Sequence, residues 1–474
     1  MSQESNYTIN VEALRHRYVG RLLHELEGPV AIVDAAIARR NCNLMLKAAE
    51  LLDVGFRPHI KSHKQVQTVE LTRYQVGETS ESIKLVVSTV AEIEQLIPFL
   101  HECKAAGRPI DIIYGLPVAP SYIPRLSALG KTLGQGSITV LVDCLETLPF
   151  LSRYHDTINQ KLGVFVKIDN GYHRAGLSAD SLQFSQLVAE IHRLECTEGK
   201  IELRGFYSHL GNSYNSDSCD EALEYLATEL EGCTLATVVA GEIYGTGCRF
   251  ICSVGATPTA TSAQELLSSK PKSSAVVRVT EAIKRAKMHH DVELHAGAYV
   301  TLDMQQLAAH ARISDLTFND IALSVLTEVA SIYNHRTPAP EALVACGKLS
   351  LGYDTCKSYD GMGVVMSWLD RSLHPSSLAD AAASEPSHDI YNPDAEQRGW
   401  IVHQACQEHG MLRWMGPMEK MRPLQVGEKI RIIPNHCCMC LANFDFIIVI
   451  DSSAPGSAIE RERVRDVWLS WGGW

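Results

Sequence analysis

The chain has 474 residues, 46% hydrophobic and 21% charged, with 43 Lys+Arg against 55 Asp+Glu and a formal charge of −12. That balance excludes a long disordered or fibrous chain, and its acidity without an extended basic run argues against nucleic acid or an anionic membrane as the main partner. No stretch approaches the ~20 apolar residues that span a bilayer.

The start, Met1 to Asn10, is polar and lacks the apolar centre of a secretory signal, and the end at Trp474 carries no targeting tripeptide, so a cytoplasmic location is expected. From Pro29 short β-rich runs alternate with amphipathic helical patterns. Pro29 to Val33 reads as the first strand. Asp34 follows as an N-cap, then a helix with Leu44, Ala48, Leu51 and Leu52 on one side, stopped by Gly55. Arg57 to Lys61 reads as the next strand, with a helix from about Gln65. Leu85 to Thr89 leads into a helix around Ile93, Leu96, Ile97 and Leu100, and Ile110 to Tyr114 follows. Further strands are predicted at Ile138 to Val142, Val164 to Ile168, Leu203 to Tyr207, Arg249 to Val254 and Val292 to Leu294. Helical patterns separate most of them, as at Leu182 to Leu194 and Glu221 to Ala240.

Parallel strands need crossovers, usually helices, and about eight such units match a (β/α)8 barrel in size. No Gly-x-Gly-x-x-Gly follows the first strand, which disfavours an open doubly wound sheet. After about Asp315 the rhythm changes: Ile321 to Ile332, Leu343 to Cys346, Lys429 to Ile433 and Phe444 to Ile450 are strand-like without long helices between them. The expected fold is therefore α/β, a (β/α)8 barrel over 29–315 and a mainly β domain over 316–474, with 1–28 packing against the latter. Ser372 to Gln397, rich in Ser, Ala, Asp and Pro, reads as an exposed insertion.

Several strings bring reactive side chains to the C-terminal ends of predicted barrel strands, the rim where barrel enzymes keep their active sites. Lys61 stands in Arg57-Pro58-His59-Ile60-Lys61-Ser62-His63-Lys64. An amine there forms a Schiff base if its surroundings lower its pKa, and Lys64 pushes that way; the plain alternative is a solvated lysine in a basic turn. Arg174, in Lys167 to Gly176, offers a donor to a phenolate or carboxylate oxygen, or a salt bridge that holds a loop. Tyr207 to Tyr214 adds an aromatic platform, a hydroxyl and His209; a lone histidine there is more often a packed, hydrogen-bonded residue. The small-residue turn Ser253 to Thr259 presents Gly255, Ala256 and Thr257, whose backbone N–H groups and hydroxyl suit phosphate, though a plain loop has the same composition. His295-Ala296-Gly297-Ala298-Tyr299 closes a later strand, and Gly297 permits close backbone approach by a ligand.

The 14 cysteines are scattered except for Cys437, Cys438 and Cys440, and they read as reduced thiols or metal ligands. In Pro434-Asn435-His436-Cys437-Cys438-Met439-Cys440, an extended strand would point His436 and Cys438 to one face. Imidazole and thiolate suit Zn²⁺, with positions left for water or substrate. Buried thiols that pack as small hydrophobes are the alternative.

In their order along Pro29 to Ile450 these strings resemble the eukaryotic D-serine dehydratases, of the fold-type III pyridoxal phosphate group that includes alanine racemase and D-threonine aldolase. The resemblance implies that Lys61 is the Schiff-base lysine, that Arg174 meets the cofactor's phenolic oxygen and that His209 stacks on the pyridine ring. Tyr214 lies in the matching Gly-Asn-x-Tyr stretch. Gly255, Ala256 and Thr257 match the phosphate turn, and Gly297 with Ala298 the second phosphate contact. His295 falls where alanine racemase carries an arginine facing the pyridine nitrogen. Gln407-Glu408-His409-Gly410 resembles a segment near the substrate. His436 and Cys438 match the zinc pair, and because D-threonine aldolases tend to place aspartate at the second position, Cys438 favours dehydration.

The chain departs from the family at Cys440, usually Thr, at Ala298, more commonly Asn, and in the length of Ser372 to Gln397. The resemblance implies pyridoxal phosphate- and zinc-dependent dehydration of a small D-3-hydroxy amino acid, foremost D-serine to pyruvate and ammonia, by a homodimer. The alternatives are a metal-dependent D-threonine aldolase, a D-threo-3-hydroxyaspartate dehydratase, or a non-catalytic pyridoxal phosphate-binding protein. A racemase gives the metal pair no role.

Overall fold

A computed structural model describes residues 10–66, 69–78, 81–245, 247–267, 272–312, 316–366, 391–394 and 398–474. Along the chain the strands are β1 (Val30–Asp34), β2 (Gly55–Pro58), β3 (Gln65–Val66), β4 (Ile83–Val87), β5 (Ile110–Pro117), β6 (Ile138–Val142), β7 (Leu162–Ile168), β8 (Ile201–Ser208), β9 (Ile251–Val254) and β10 (Asp291–Ala296). The later ones are β11 (Leu323–Tyr333), β12 (Glu341–Val344), β13 (Gly363–Met366), β14 (Gly399–Ala405), β15 (Gly410–Met415), β16 (Lys429–Pro434), β17 (Phe446–Ile450) and β18 (Asp466–Ser470).

Eight of these run β2-β10-β9-β8-β7-β6-β5-β4, every adjacent pair parallel. An isolated parallel bridge between His59 and Val86 spans the remaining gap between β2 and β4, so the expected barrel is nearly closed. Strands β6 and β7 are buried along their whole length, as a parallel sheet covered by helices requires. Helices Leu182–Thr197 and Cys219–Tyr244 supply Leu187, Ile191, Leu223 and Leu230 to the layer between sheet and helices. Below the cavity, fully buried Arg57 on β2 bonds Glu293 of β10 at 2.6 Å and Asp111 of β5 at 2.7 Å. That cluster anchors the strand that leads into His59 and Lys61.

The remaining strands form a sheet in the order β12-β15-β14-β13-β16-β11-β1-β17-β18-β3, and an added β11–β12 pairing closes its first part into a mainly antiparallel barrel. Helix Val11–Tyr18 packs on β18, with Arg15 Nε donating to Asp466 at 2.7 Å.

Three local expectations are corrected. Pro29 to Val33 gives no barrel strand: β1 pairs with β11 and β17 in the second sheet, and the barrel starts at β2. A strand–helix pattern does not say which sheet the strand enters, and β1 is buried throughout, as a barrel strand would be. The helix Ala35–Leu52 begins under the Asp34 cap, but it buries Ala38, Asn41, Cys42, Met45, Ala48 and Ala49, while Leu44 and Leu51 face solvent. Its small-residue stripe permits close packing, whereas leucine content alone picks a neighbouring stripe. Gln65 opens a short strand paired with β18, and the helix starts only at Glu70. The predicted insertion Ser372 to Gln397 lies outside the described residues apart from 391–394. No described helix is long and apolar enough to cross a membrane.

Candidate active site

The C-terminal ends of the barrel strands open into a cavity of about 450 Å³ that also touches the β domain. Lys61 reaches it from the single turn Ile60–Ser62 after β2, where His59 Nδ1 accepts the Lys61 backbone N–H at 3.3 Å. Strand β10 lies beside β2 and brings His295, Gly297 and Ala298 to the same wall. A Cβ on Gly297 would sit 3.1 Å from the His59 carbonyl, and Ser62 Oγ donates to the Gly297 carbonyl at 3.1 Å, so these two segments are locked together.

Tyr207 and His295 stack at 4.1 Å with their planes 8° apart, and His209 lies 6.2 Å from His295. The Gly255 carbonyl can only accept, so His209 Nδ1 donates to it at 2.8 Å and Nε2 carries no proton when the ring is neutral. His295 Nδ1 pairs with Ser253 Oγ at 3.0 Å, while its buried Nε2 has no partner. Burial first, then the nearby Lys167 charge, push both imidazoles well below the usual range, so they sit neutral.

Gly255 itself does not line the cavity. Its φ is +141°, and an added Cβ would fall 2.3 Å from the His295 carbonyl, so it acts as the tight joint between β9 and β10. Ala256 and Thr257, the next residues, do face the cavity, and Thr257 Oγ1 accepts the Ala298 N–H at 3.1 Å. Tyr214 and Arg174 complete the rim. The Arg174 loop is tied by Asp169, whose carboxylate accepts the N–H groups of Gly171, Tyr172 and His173, and the guanidinium lies 5.0 Å from the Tyr172 ring centre.

One cavity-lining group and one carboxylate behind it escaped the sequence reading. Lys167 on β7 lines the cavity 6% exposed, its Nζ without a hydrogen-bond partner, and burial followed by the Arg174 charge lowers its pKa to about 8. The available signal was alternation: Lys167 shares the inward face of β7 with Phe165, so a charge interrupts an otherwise apolar strand interior. Behind it, Glu229 of helix Cys219–Tyr244 accepts the Leu210 N–H at 2.7 Å and the Thr259 hydroxyl at 3.1 Å, bracing the His209 and Thr257 turns. Burial raises its pKa to about 7.

His436 and Cys438 line the cavity from the β-domain side, but not on an extended strand. Strand β16 ends at Pro434, His436 is the extended N-cap residue (φ −136°, ψ 114°), and Cys438 lies in the short helix Cys437–Leu441. The half-extended cap, rather than strand alternation, turns the imidazole toward the thiol. A hydrogen bond from Cys437, and the His436 charge, hold the Cys438 thiol well below its usual range despite burial. For His436 burial opposes the cation, but Cys438 and Asp303 outweigh it and raise its pKa to about 9. A neutral imidazole and a thiolate together suit a divalent cation such as Zn²⁺. Among the described residues no group of three or more His, Cys, Asp and Glu is arranged for a metal, so further positions would fall to water or substrate. Gln407 to Gly410 forms the turn between β14 and β15 and does not line this cavity.

With this geometry in hand, the family model of the alanine racemase N-terminal domain matches residues 33–279, and that of a serine dehydratase domain matches 322–450. The chain is 31% identical to the D-serine dehydratase of Schizosaccharomyces pombe over 470 residues, 98% of this chain and 96% of that one. It is 27% identical to the D-threo-3-hydroxyaspartate dehydratase of Delftia sp., covering 93% and 97%. A solved D-threo-3-hydroxyaspartate dehydratase, a cysteine-to-alanine variant in its metal-free form, overlays with a TM-score of 0.69 at 25% identity, covering 96% of this chain and all of that one (100%).

Proposed function

The chain belongs to the D-serine dehydratase family of fold-type III pyridoxal phosphate enzymes, and from that premise we propose that it dehydrates a 3-hydroxy-D-amino acid, D-serine foremost, with the cofactor on Lys61 and zinc on His436 and Cys438. One observation carries the reading: the Lys61 amine and the His436/Cys438 pair line a single cavity.

The residues fit a bound pyridine cofactor. The orphaned Lys167 Nζ and His295 Nε2 are buried polar atoms awaiting partners, and the glycines at 255 and 297 keep side-chain atoms out of tight joints around the cavity. Pyridoxal phosphate, when bound, supplies the electron sink that makes a substrate α-carbon acidic. Zinc, when bound, supplies a Lewis acid that makes a hydroxyl a better leaving group.

The chain's own groups do the rest. Lys61 would hold the cofactor and, once released from it, take the α-proton at Nζ. Arg174 and Lys167 place positive charge on the β7 side. Ala256, Thr257, Gly297 and Ala298 would hold the phosphate, while neutral His209 would offer its face to the ring and neutral His295 its bare nitrogen. His436 and Cys438 would hold the metal, with Tyr214 packed at 6.4 Å from the His436 ring. Loss of the α-proton and the hydroxyl removes water from D-serine; the resulting enamine takes up water to give pyruvate and ammonia.

A homodimer belongs to the same reading, because the Gln407 to Gly410 turn stands away from its own cavity and a second copy could bring it to the substrate. The test is a panel of D-serine, D-threonine and D-threo-3-hydroxyaspartate read for keto acid and ammonia. Pyruvate and ammonia from D-serine are expected, and glycine with an aldehyde would instead make the protein an aldolase.

A further inference from the structure

The stretch Gly297 to Gln306 runs from the cofactor side of the cavity to the metal side. Gly297 and Ala298 line the cavity beside Lys61, and a few residues later the chain touches the His436 segment at three points. Asp303, fully buried, accepts the Gln306 N–H at 3.0 Å, capping its own short helix Met304–Ala308. Its other oxygen accepts the Cys437 N–H at 2.8 Å, at the start of the helix that bears Cys438. The Gln305 N–H donates to the Asn435 carbonyl at 3.1 Å, and the Gln305 side-chain oxygen lies 2.6 Å from His436 Nδ1.

The orientation of that amide is fixed from outside. Gln305 Nε2 donates to the Thr355 carbonyl at 2.8 Å, and a carbonyl can only accept. The oxygen must therefore face His436, and Nδ1 must be the donor. Nε2 of the imidazole is left as the ligating nitrogen. Between the two halves of the stretch, buried Leu302 adopts φ +53°, a conformation unfavourable for a leucine and kept only where the surroundings over-determine it.

We infer that Gln305 and Asp303 are positioning residues for the His436/Cys438 pair, and that the ten-residue stretch from Gly297 sets the distance between metal and cofactor. This rests on the metal reading given above. Neither residue ligates: Gln305 selects the His436 tautomer and ring orientation, and Asp303 pins the backbone that carries Cys438. Partners of this kind typically change metal affinity 10- to 100-fold when removed.

The test uses cofactor-loaded protein, stripped of metal and titrated with Zn²⁺ in competition with a chromophoric chelator. Gln305→Leu should bind zinc roughly 10- to 100-fold more weakly than wild type, with the cofactor's visible absorbance unchanged. Gln305→Glu keeps an acceptor facing Nδ1 but gives up the bond to the Thr355 carbonyl, so it should bind zinc more tightly than Gln305→Leu and more weakly than wild type, a partial rescue that a packing role alone would not produce. The inference is overturned if Gln305→Leu takes up zinc as tightly as wild type, or if Gln305→Glu weakens binding as much as Gln305→Leu does. Wild-type protein that takes up no zinc would overturn the metal reading itself, and this inference with it.

Discussion

The Lys167 ammonium nitrogen lies 4.7 Å from the centre of the Tyr207 ring, buried and without a hydrogen-bond acceptor. An aromatic face offsets only part of the cost of a buried cation. The native pKa of about 8 lies below the usual 10.5, so the folded state gives up this proton more readily than the unfolded chain. The group's contribution to stability is therefore present above pH 10.5 and lost as the pH falls through 8. Lys167→Met should be more stable than wild type at pH 7 in the cofactor-free protein, by up to about 3 kcal/mol and so with a higher melting temperature, and the gap should close toward pH 10. Cofactor affinity should fall in the same variant. Equal melting temperatures at pH 7 would contradict the buried, unpaired cation.

Lys61→Ala should lose both keto-acid production and the visible absorbance of a lysine–cofactor imine. Among the described residues that line the cavity, the only other primary amine is Lys167, which stands on β7. A variant that kept the absorption band would move the cofactor to a different lysine.

Asp303→Asn tests the double cap. An amide has one acceptor oxygen where the carboxylate uses two, so either the Gln306 or the Cys437 N–H loses its partner. The expected loss is about 1 kcal/mol, the usual value of an N-cap, read as a drop in the denaturation midpoint at unchanged slope. Unchanged stability would mean the second bond carries no weight.

Gly255→Ala places a Cβ 2.3 Å from the His295 carbonyl at φ +141°. The backbone of β9 or β10 must shift, and the His209 acceptor shifts with it. Weakened cofactor binding with the fold retained is expected, measured by absorbance titration. Wild-type affinity would show that this joint does not position the site.

Much of this was legible beforehand. The barrel strands stood out because parallel strands buried on both faces read as continuous β-branched runs, as Ile138 to Val142 does, and the rim motifs follow their C-terminal ends. What escaped depends on long-range pairing. Nothing local distinguishes Val30–Asp34 from a barrel strand, because the choice of partners β11 and β17 lies hundreds of residues away. His436 and Cys438 meet at one cavity wall, but Cys438 is helical, so cap geometry rather than strand alternation brings them there. Gln305 carries no motif at all, since a glutamine becomes a histidine's acceptor only through the fold.

In the proposed reaction, one cavity joins a lysine-held cofactor to a metal that acts on the substrate's hydroxyl. The most direct measurement is pyruvate formation from D-serine by cofactor-loaded protein before chelation, after chelation, and after zinc is restored. Turnover should stop on chelation and return with zinc, while the visible absorbance stays constant throughout. Undiminished pyruvate formation by the metal-free protein would contradict that reaction.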